Sequence, residues 1–180
     1  NKAVAQTTYD FDYQFAKAPN PPKVSSVTGD GFVTLYWDES AEQSVDKYMG
    51  EVTNGVDLYD FEGYKIYRAT DFQFDDAYTI TDGDGNLTFL EPYIQNGEKA
   101  QWDLNNGKSG WHPVDLNGIK FYLGDDTGIR HYYRDENVVN GQRYYYAVVS
   151  YDYGGDLTND IIPSDSPMRL RVNSLTGEIE

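Results

Sequence analysis

The sequence contains no cysteine among its 180 residues and only two histidines. The lack of cysteine excludes disulfide bonds within the chain, thiolate metal sites and a cysteine nucleophile. Two histidines are too few for a catalytic metal site built on three imidazoles. No apolar run approaches the roughly 18 residues that cross a bilayer. No basic cluster is present either, so we expect neither nucleic-acid binding nor membrane insertion.

Acidic residues outnumber basic residues by 30 to 14, which gives a net charge of −16. This balance predicts a solvated acidic surface, with cation binding as the alternative. The length suits one domain, and 17 tyrosines within an aromatic content of 16% supply material for a core. Abundant tyrosine favours strands, so we expect an all-β fold.

The first segment alternates between aromatic and polar residues, with Tyr9, Phe11, Tyr13 and Phe15 on one face. This period of two predicts a strand with one dry face. We interpret residues 1–18 as an N-terminal aromatic arm that contacts a neighbouring domain or an identical subunit. The alternatives are an extra strand of the same domain or the last strand of a preceding one. The breakers in residues 19–22 mark the boundary.

Further apolar alternation predicts six strands, at residues 23–28, 32–37, 62–68, 129–133, 143–151 and 168–172. A short helix is predicted at residues 43–49. Two long connections, residues 39–60 and 72–128, interrupt the series of strands, and the second is the least regular part of the chain. A connection this long is usually functional or has a structure of its own.

The pattern from Pro21 onward resembles a fibronectin type III domain. The matching residues are the prolines at 21–22, Trp37, residues 63–68 and residues 140–148. The resemblance implies an immunoglobulin-like, fibronectin type III β-sandwich over residues 19–175, with 176–180 as a tail. It also implies a core that contains Trp37, Tyr64, Tyr144 and Tyr146. Tyr144 would make the tyrosine-corner contact of such sandwiches.

A narrower resemblance, to modules of large secreted and surface-attached bacterial proteins, is carried by residues 61–68, 80–82, 121–128 and 146–148. It implies an extracellular, cell-surface location and no particular chemistry. The chain begins at Asn1 rather than Met and ends on a polar stretch. We therefore expect it to be part of a longer secreted protein.

An acidic turn places Asp82, Asp84 and Asn86 at alternate positions with glycine between them. Oxygen ligands in this pattern can surround calcium, which makes the turn a candidate metal site. It does not match an EF-hand loop, because Tyr93 stands where the bidentate Glu is required. The alternative is a plain turn, since Asp and Gly favour turns for conformational reasons.

Two tryptophans of the long connection, Trp102 and Trp111, lie near amide side chains in the sequence. Aromatic rings beside amides are typical of glycan-binding surfaces, so both residues are candidate glycan contacts. The alternative, which we favour, is that these rings form the core of the inserted region, because large rings are usually well buried.

No arrangement of residues predicts catalysis. A Gly-x-Ser-x-Gly nucleophile elbow and a phosphate-binding glycine loop are both absent from the sequence. His131 alternates within a predicted strand, and His112 lies between Trp111 and Pro113. We therefore expect a non-catalytic structural or adhesive module of a surface protein or filament. The alternative is a carbohydrate-binding or accessory module of a secreted enzyme.

Overall fold

The computed structural model describes residues 16–155 and 161–168. Strands account for 39% of these residues and helix for 4%, which confirms the predicted all-β class. The helix, α1, spans Lys47–Val52. The strands are β1 Val24–Gly29, β2 Phe32–Trp37, β3 Phe61–Ala69, β4 Thr79–Thr81, β5 Leu87–Leu90, β6 Ile94–Gln95, β7 Glu98–Lys99, β8 Gln101–Asp103, β9 Trp111–Leu116, β10 Ile119–Tyr122, β11 Tyr132–Asp135 and β12 Tyr145–Asp152.

The first sheet has the order β1-β2-β11, and both pairings are antiparallel. A tight turn joins β1 to β2, and Gly31 adopts a φ of 73° there, which a residue without Cβ does at low cost. Successive side chains of β2 point to opposite faces. Leu35 and Trp37 are buried, whereas Tyr36 between them is exposed. One face of this sheet therefore covers the core.

The second sheet has the order β12-β3-β8, again antiparallel, with Ile66 opposite Val148. Its central strand β3 is buried along almost its whole length. A strand buried on both faces must be covered by other parts of the protein on each side. The first sheet covers one side, and the long connection between β3 and β11 covers the other.

The core between the two sheets is rich in aromatic rings. Trp37 of the first sheet lies 5.7 Å from the Tyr64 ring and 5.9 Å from the Trp102 ring of the second sheet. A buried ion pair joins the same sheets, because Arg68 Nη1 lies 2.9 Å from Asp135 Oδ2. Asp135 has no exposed surface, and its carboxylate also accepts hydrogen bonds from Asn137 N and the Tyr146 hydroxyl.

The connection over residues 72–128, which the sequence left irregular, folds into the antiparallel hairpins β4–β5, β6–β7 and β9–β10. Two of these hairpins turn on Asn-Gly pairs with positive φ, at residues 96–97 and 117–118, a pair that strongly favours such turns. Phe74 packs with Tyr67, and Phe121 packs with Tyr151, on the outer face of the second sheet. The insertion thus adds a third layer to the fold.

Several element boundaries differ from the sequence predictions. The helix starts at Lys47 because the Asp46 carboxylate accepts a hydrogen bond from Met49 N at 2.9 Å and caps the first turn. Strand β11 begins at Tyr132 rather than at residue 129. Met168 lies outside any strand, and residues 169–172 of that predicted strand are outside the described ranges. No helix in those ranges is long and apolar enough to cross a membrane.

Candidate functional site

Lys65 lies in the middle of β3 and faces the inserted layer. Its side chain is 5% exposed, and Nζ lies 3.3 Å from Asp165 Oδ1. The same nitrogen lies 3.5 Å from the centre of the Phe121 ring and 4.6 Å from that of Tyr151. Burial lowers the pKa of Lys65, and the charge of Asp165 opposes that shift. The amine thus has one charged partner and a wall of aromatic rings.

Asp165 is placed by the segment that follows β12. This segment pairs with β12 through a single antiparallel bridge between Tyr151 and Asp165. Tyr67 Oη donates a hydrogen bond to Asp165 Oδ2 at 2.5 Å, while Oδ1 faces Lys65. Burial raises the pKa of Tyr67 well above its usual value, so this hydroxyl keeps its proton. Both carboxylate oxygens of Asp165 therefore have protein partners.

A small open pocket lies between the inserted hairpins beside Lys65. Trp111 stands at its rim with 59% of its surface exposed. The Trp111 ring makes an edge contact with Tyr122 at 4.9 Å between ring centres. A salt bridge of 2.5 Å joins Lys99 to Glu91, and both residues line the pocket. An exposed ring beside charged groups can bind a polar molecule that has an apolar face.

On the second face of the first sheet, part of the surface is exposed in the described residues. Tyr36 and Tyr132 are direct partners across β2 and β11, and they are 46% and 57% exposed. Val27 of β1 lies on the same face, next to Thr34 in the strand register, and is also exposed. We call Val27, Tyr36 and Tyr132 the outer tyrosine face. In the second sheet, by contrast, the inserted layer covers the outer face.

Three buried carboxyl groups lie at the ends of β3 and β12. Burial and the neighbouring carboxylate of Asp152 raise the pKa of Asp60 to about 8. Burial raises the pKa of Glu62 to about 8, although Asn106 donates a hydrogen bond to it. Burial also raises the pKa of Asp152 to about 6, against hydrogen bonds from Ser164. At pH 7 Asp60 and Glu62 are therefore mainly neutral in the folded chain, whereas Asp152 is mainly ionised.

The acidic turn forms the connection between β4 and β5. Asp82 Oδ1 accepts hydrogen bonds from the main-chain amides of Asp84 and Asn86, at 3.0 and 2.8 Å. The side-chain amide of Asn86 also donates to Asp82, so its nitrogen faces the carboxylate. Across residues 16–155 and 161–168, no group of three or more His, Asp or Glu side chains is arranged to hold a metal ion.

The two candidate glycan contacts lie in different environments. Trp102 is 7% exposed and packs against Trp37 and Tyr133 in the core between the sheets. Its ring face is therefore not accessible to a ligand. Trp111 is exposed on the β9–β10 hairpin. The two rings do not share a surface, and only Trp111 offers a face to solvent.

The residues expected in the core lie as follows. Trp37 and Tyr64 are buried between the sheets, and Tyr146 is half-buried there, with its hydroxyl donating to Asp135 at 2.7 Å. Tyr144 is half-buried just before β12, and Val139 N donates a hydrogen bond to its hydroxyl at 3.1 Å. The expected interaction residues Tyr9, Phe11, Tyr13 and Phe15 lie outside the described residues.

The two histidines make different contacts. His112 is buried on β9, where its Nδ1 lies 3.2 Å from the main-chain oxygen of Val114. His131 lies just before β11 rather than within a strand, and its Nε2 is 2.6 Å from Glu42 Oε1. The Tyr64 ring contacts His131 at 5.9 Å between ring centres. Both histidines make structural contacts.

The sequence analysis did not predict the contact between Lys65 and Asp165. The available signal in the sequence is a lysine at the centre of a strand, residues 61–69, that is buried along almost its whole length. Such a lysine needs a buried partner, but the partner lies 100 positions further along the chain. No local pattern identifies it.

We compared the chain with known protein families, curated proteins and solved structures. No protein-family model, curated protein or solved structure matches the chain.

Proposed function

We propose that the chain is a fibronectin type III-like sandwich that serves as a non-catalytic structural or adhesive module of an extracellular surface protein or filament. Two features support the sandwich. The sheet orders β1-β2-β11 and β12-β3-β8 enclose one aromatic core. The hydrogen bond from Val139 N to the Tyr144 hydroxyl has the connectivity of a tyrosine corner.

The observation that carries the functional proposal is the outer tyrosine face. Tyr36 and Tyr132 are partners on the sheet face opposite the core, and each ring is about half exposed in the described part of the chain. Further along the same face Arg134 covers the Phe32 ring. Covering about half of one tyrosine removes on the order of 100 Å² from water, which is worth roughly 2 kcal/mol. Burial of two such rings and of Val27 would supply the free energy of a contact between subunits. Repetition of this contact along a filament would strengthen the assembly.

The proposed occupant is the aromatic arm, residues 1–18, of an identical subunit. Its sequence alternates Tyr9, Phe11, Tyr13 and Phe15 with polar residues, so an extended arm has one apolar face to place on the tyrosines. Among the described strands, β1 and β11 are the edges of the same sheet. The Gln95 side chain already bonds to Arg134 O and Glu136 N at the β11 edge, so an arm would pair its main chain with the β1 edge.

The first experiment compares the mass of the particle by light scattering in the intact chain and in variants. We expect the intact chain to associate, and we expect both deletion of residues 1–18 and the double change Tyr36→Ser with Tyr132→Ser to reduce association. The matched control is Tyr78→Ser, because Tyr78 is 71% exposed but lies in the inserted region. Unchanged association in both test variants would show that the face and the arm are not the contact.

A second candidate function is glycan binding, and the exposed Trp111 favours it. The ring stands beside Tyr122 and a pocket with charged side chains, as sugar-binding surfaces do. Affinity electrophoresis in gels that contain polysaccharide tests it: retardation that Trp111→Ala abolishes and Tyr78→Ala preserves would favour a carbohydrate-binding or accessory module. Trp102→Ala is not informative, because Trp102 belongs to the core.

Calcium remains a candidate ligand of the turn formed by Asp82, Asp84 and Asn86, and the plain turn remains its alternative. The main-chain and side-chain amides that point at Asp82 are the contacts of a plain turn. We therefore expect the melting temperature to be the same in a chelator and in millimolar calcium. A rise with calcium that Asp82→Asn removes would favour the metal site.

A further inference from the structure

Lys65 and Asp165 bring an amine and a carboxyl group together in a buried site. Nζ lies 3.3 Å from Asp165 Oδ1, which is bonded to the carboxyl carbon Cγ. The Lys65 side chain is 5% exposed and that of Asp165 is 25% exposed. An amine and a carboxyl group held at this distance have most of the entropy cost of their reaction already removed.

Burial disfavours the charged form of Lys65. The rings of Phe121 and Tyr151 flank Nζ and exclude water from it, and their faces also attract an ammonium group. Burial lowers the pKa of Lys65, although Asp165, Glu91 and Asp152 all act to raise it. Transfer of one proton from the ammonium group to the carboxylate gives the neutral amine and the neutral acid. These are the forms that can react with each other.

We propose that Lys65 and Asp165 condense in the folded chain to form an intramolecular amide, an isopeptide bond. The Nζ lone pair attacks Cγ, one carbon–nitrogen bond forms, and the carbonyl electrons move to Oδ2. The proton released by Nζ passes to the Oδ1 hydroxyl, the Cγ–Oδ1 bond breaks, and one water leaves. The net change is amine plus acid to amide plus water, with no oxidation, reduction or further reactant.

Tyr67 is placed to assist the step. Its hydroxyl donates a hydrogen bond to Oδ2 at 2.5 Å, and Oδ2 is the oxygen on which negative charge develops during attack. The raised pKa of Tyr67 keeps that donor protonated. The geometry therefore combines a nucleophile, an electrophilic carbon and an oxyanion donor in one buried site.

The bond would join the central strand β3 to the segment beyond β12, 100 positions further along the chain. A chain without cysteine would thereby gain a covalent link between two distant segments. A module that carries force would benefit, because the link prevents the segment after β12 from peeling away. The proposal goes beyond the proposed function, and its test does not depend on any partner.

The test is the intact mass of the folded 180-residue chain. We expect a mass lower than the calculated mass by one water. Dehydration to a succinimide at an Asp-Gly pair, such as residues 30–31 or 82–83, would give the same loss. Proteolysis followed by tandem mass spectrometry separates the two, because only the isopeptide yields a branched peptide that joins Lys65 to Asp165.

Variants provide the controls. Lys65→Arg and Asp165→Ala should each have their full calculated mass, whereas Lys23→Arg should keep the loss of one water. Lys23 is the matched control, because it forms an exposed salt bridge of 3.9 Å with Asp38. Tyr67→Phe should slow the loss of water when the chain is refolded from denaturant and sampled over time.

The outcomes are distinguishable even if the Lys65 and Asp165 variants fold poorly, because the unaltered chain decides the question. A branched peptide between Lys65 and Asp165 establishes the bond. The full calculated mass with only linear peptides after prolonged incubation of the folded chain overturns the proposal. A loss of water that maps to an Asp-Gly pair overturns it as well.

Discussion

We predict that the protein becomes less stable as the pH rises from 5 to 8, because two carboxyl groups are buried, that of Asp60 just before β3 and that of Glu62 within it. Asp60 and Glu62 are almost completely buried, and the pKa of each is raised to about 8 in the folded chain. In the unfolded chain both groups return to ordinary values near 4. Between these values the folded chain holds a proton that the unfolded chain has lost.

The sign and size follow from this difference in bound protons. Each raised group makes unfolding release one proton, so the free energy of unfolding falls by about 1.4 kcal/mol per pH unit and per group. Between pH 5 and pH 7 the loss approaches roughly 3 kcal/mol for each group. Carboxylates whose pKa is lowered, such as Asp38 and Asp126, lose their contribution only below about pH 4, outside this window.

The perturbation is Glu62→Gln, which replaces the carboxyl group by a neutral group of the same shape. Gln can keep an oxygen as acceptor for the Asn106 amide, which contacts Glu62 Oε2 at 3.0 Å. We expect the variant to be more stable than the unaltered chain at pH 8 and to lose part of the pH dependence. The matched control is Glu51→Gln, because Glu51 is exposed on α1.

The assay is urea unfolding at pH 5, 6, 7 and 8, followed by tyrosine and tryptophan fluorescence. Stability that is constant or that rises across this range would refute the assignment of raised pKa values. A Glu62→Gln variant with the same slope as the unaltered chain would refute the part assigned to Glu62.

Three further changes test the fold. Gly63→Ala should be strongly destabilising in thermal melts, because its Cβ would run into a main-chain carbonyl of β8, whereas Gly83→Ala should be nearly neutral in open space; equal effects would contradict the packing. Tyr144→Phe should lower the free energy of unfolding by about 1 kcal/mol through loss of the hydrogen bond from Val139 N, and no loss would contradict that contact. Asp46→Ala should cost about 1 kcal/mol by removing the helix cap, measured in urea, and a neutral result would contradict the cap.

The sequence could predict the strands whose alternation is local. The strand Phe32–Trp37 was predicted with its observed bounds, and the tight turn before it was predicted as well. The inserted hairpins were not predicted, because their strands are only two to six residues long and carry little periodicity. The Asn-Gly pairs at 96–97 and 117–118 were the available signal for two of them.

The candidate sites depend on contacts between distant residues, and no local pattern encodes these. Lys65 meets Asp165 only because the segment after β12 returns beside the sheet. The local sequence marks Tyr36 only as a strand residue. The sheet order and the exposure of its side chain show that it lies on the face opposite the core. Trp102 lies in the core and Trp111 is exposed, because the two residues lie on different layers of the fold.

The central claim is that the outer tyrosine face binds the aromatic arm of another copy. The most direct measurement replaces Tyr36 by benzoylphenylalanine, irradiates a mixture of isotopically light and heavy chains, and identifies the crosslinked peptides by mass spectrometry. We predict mixed light–heavy crosslinks from position 36 to residues 8–15. Crosslinks within one chain alone, or none to the arm, would contradict it.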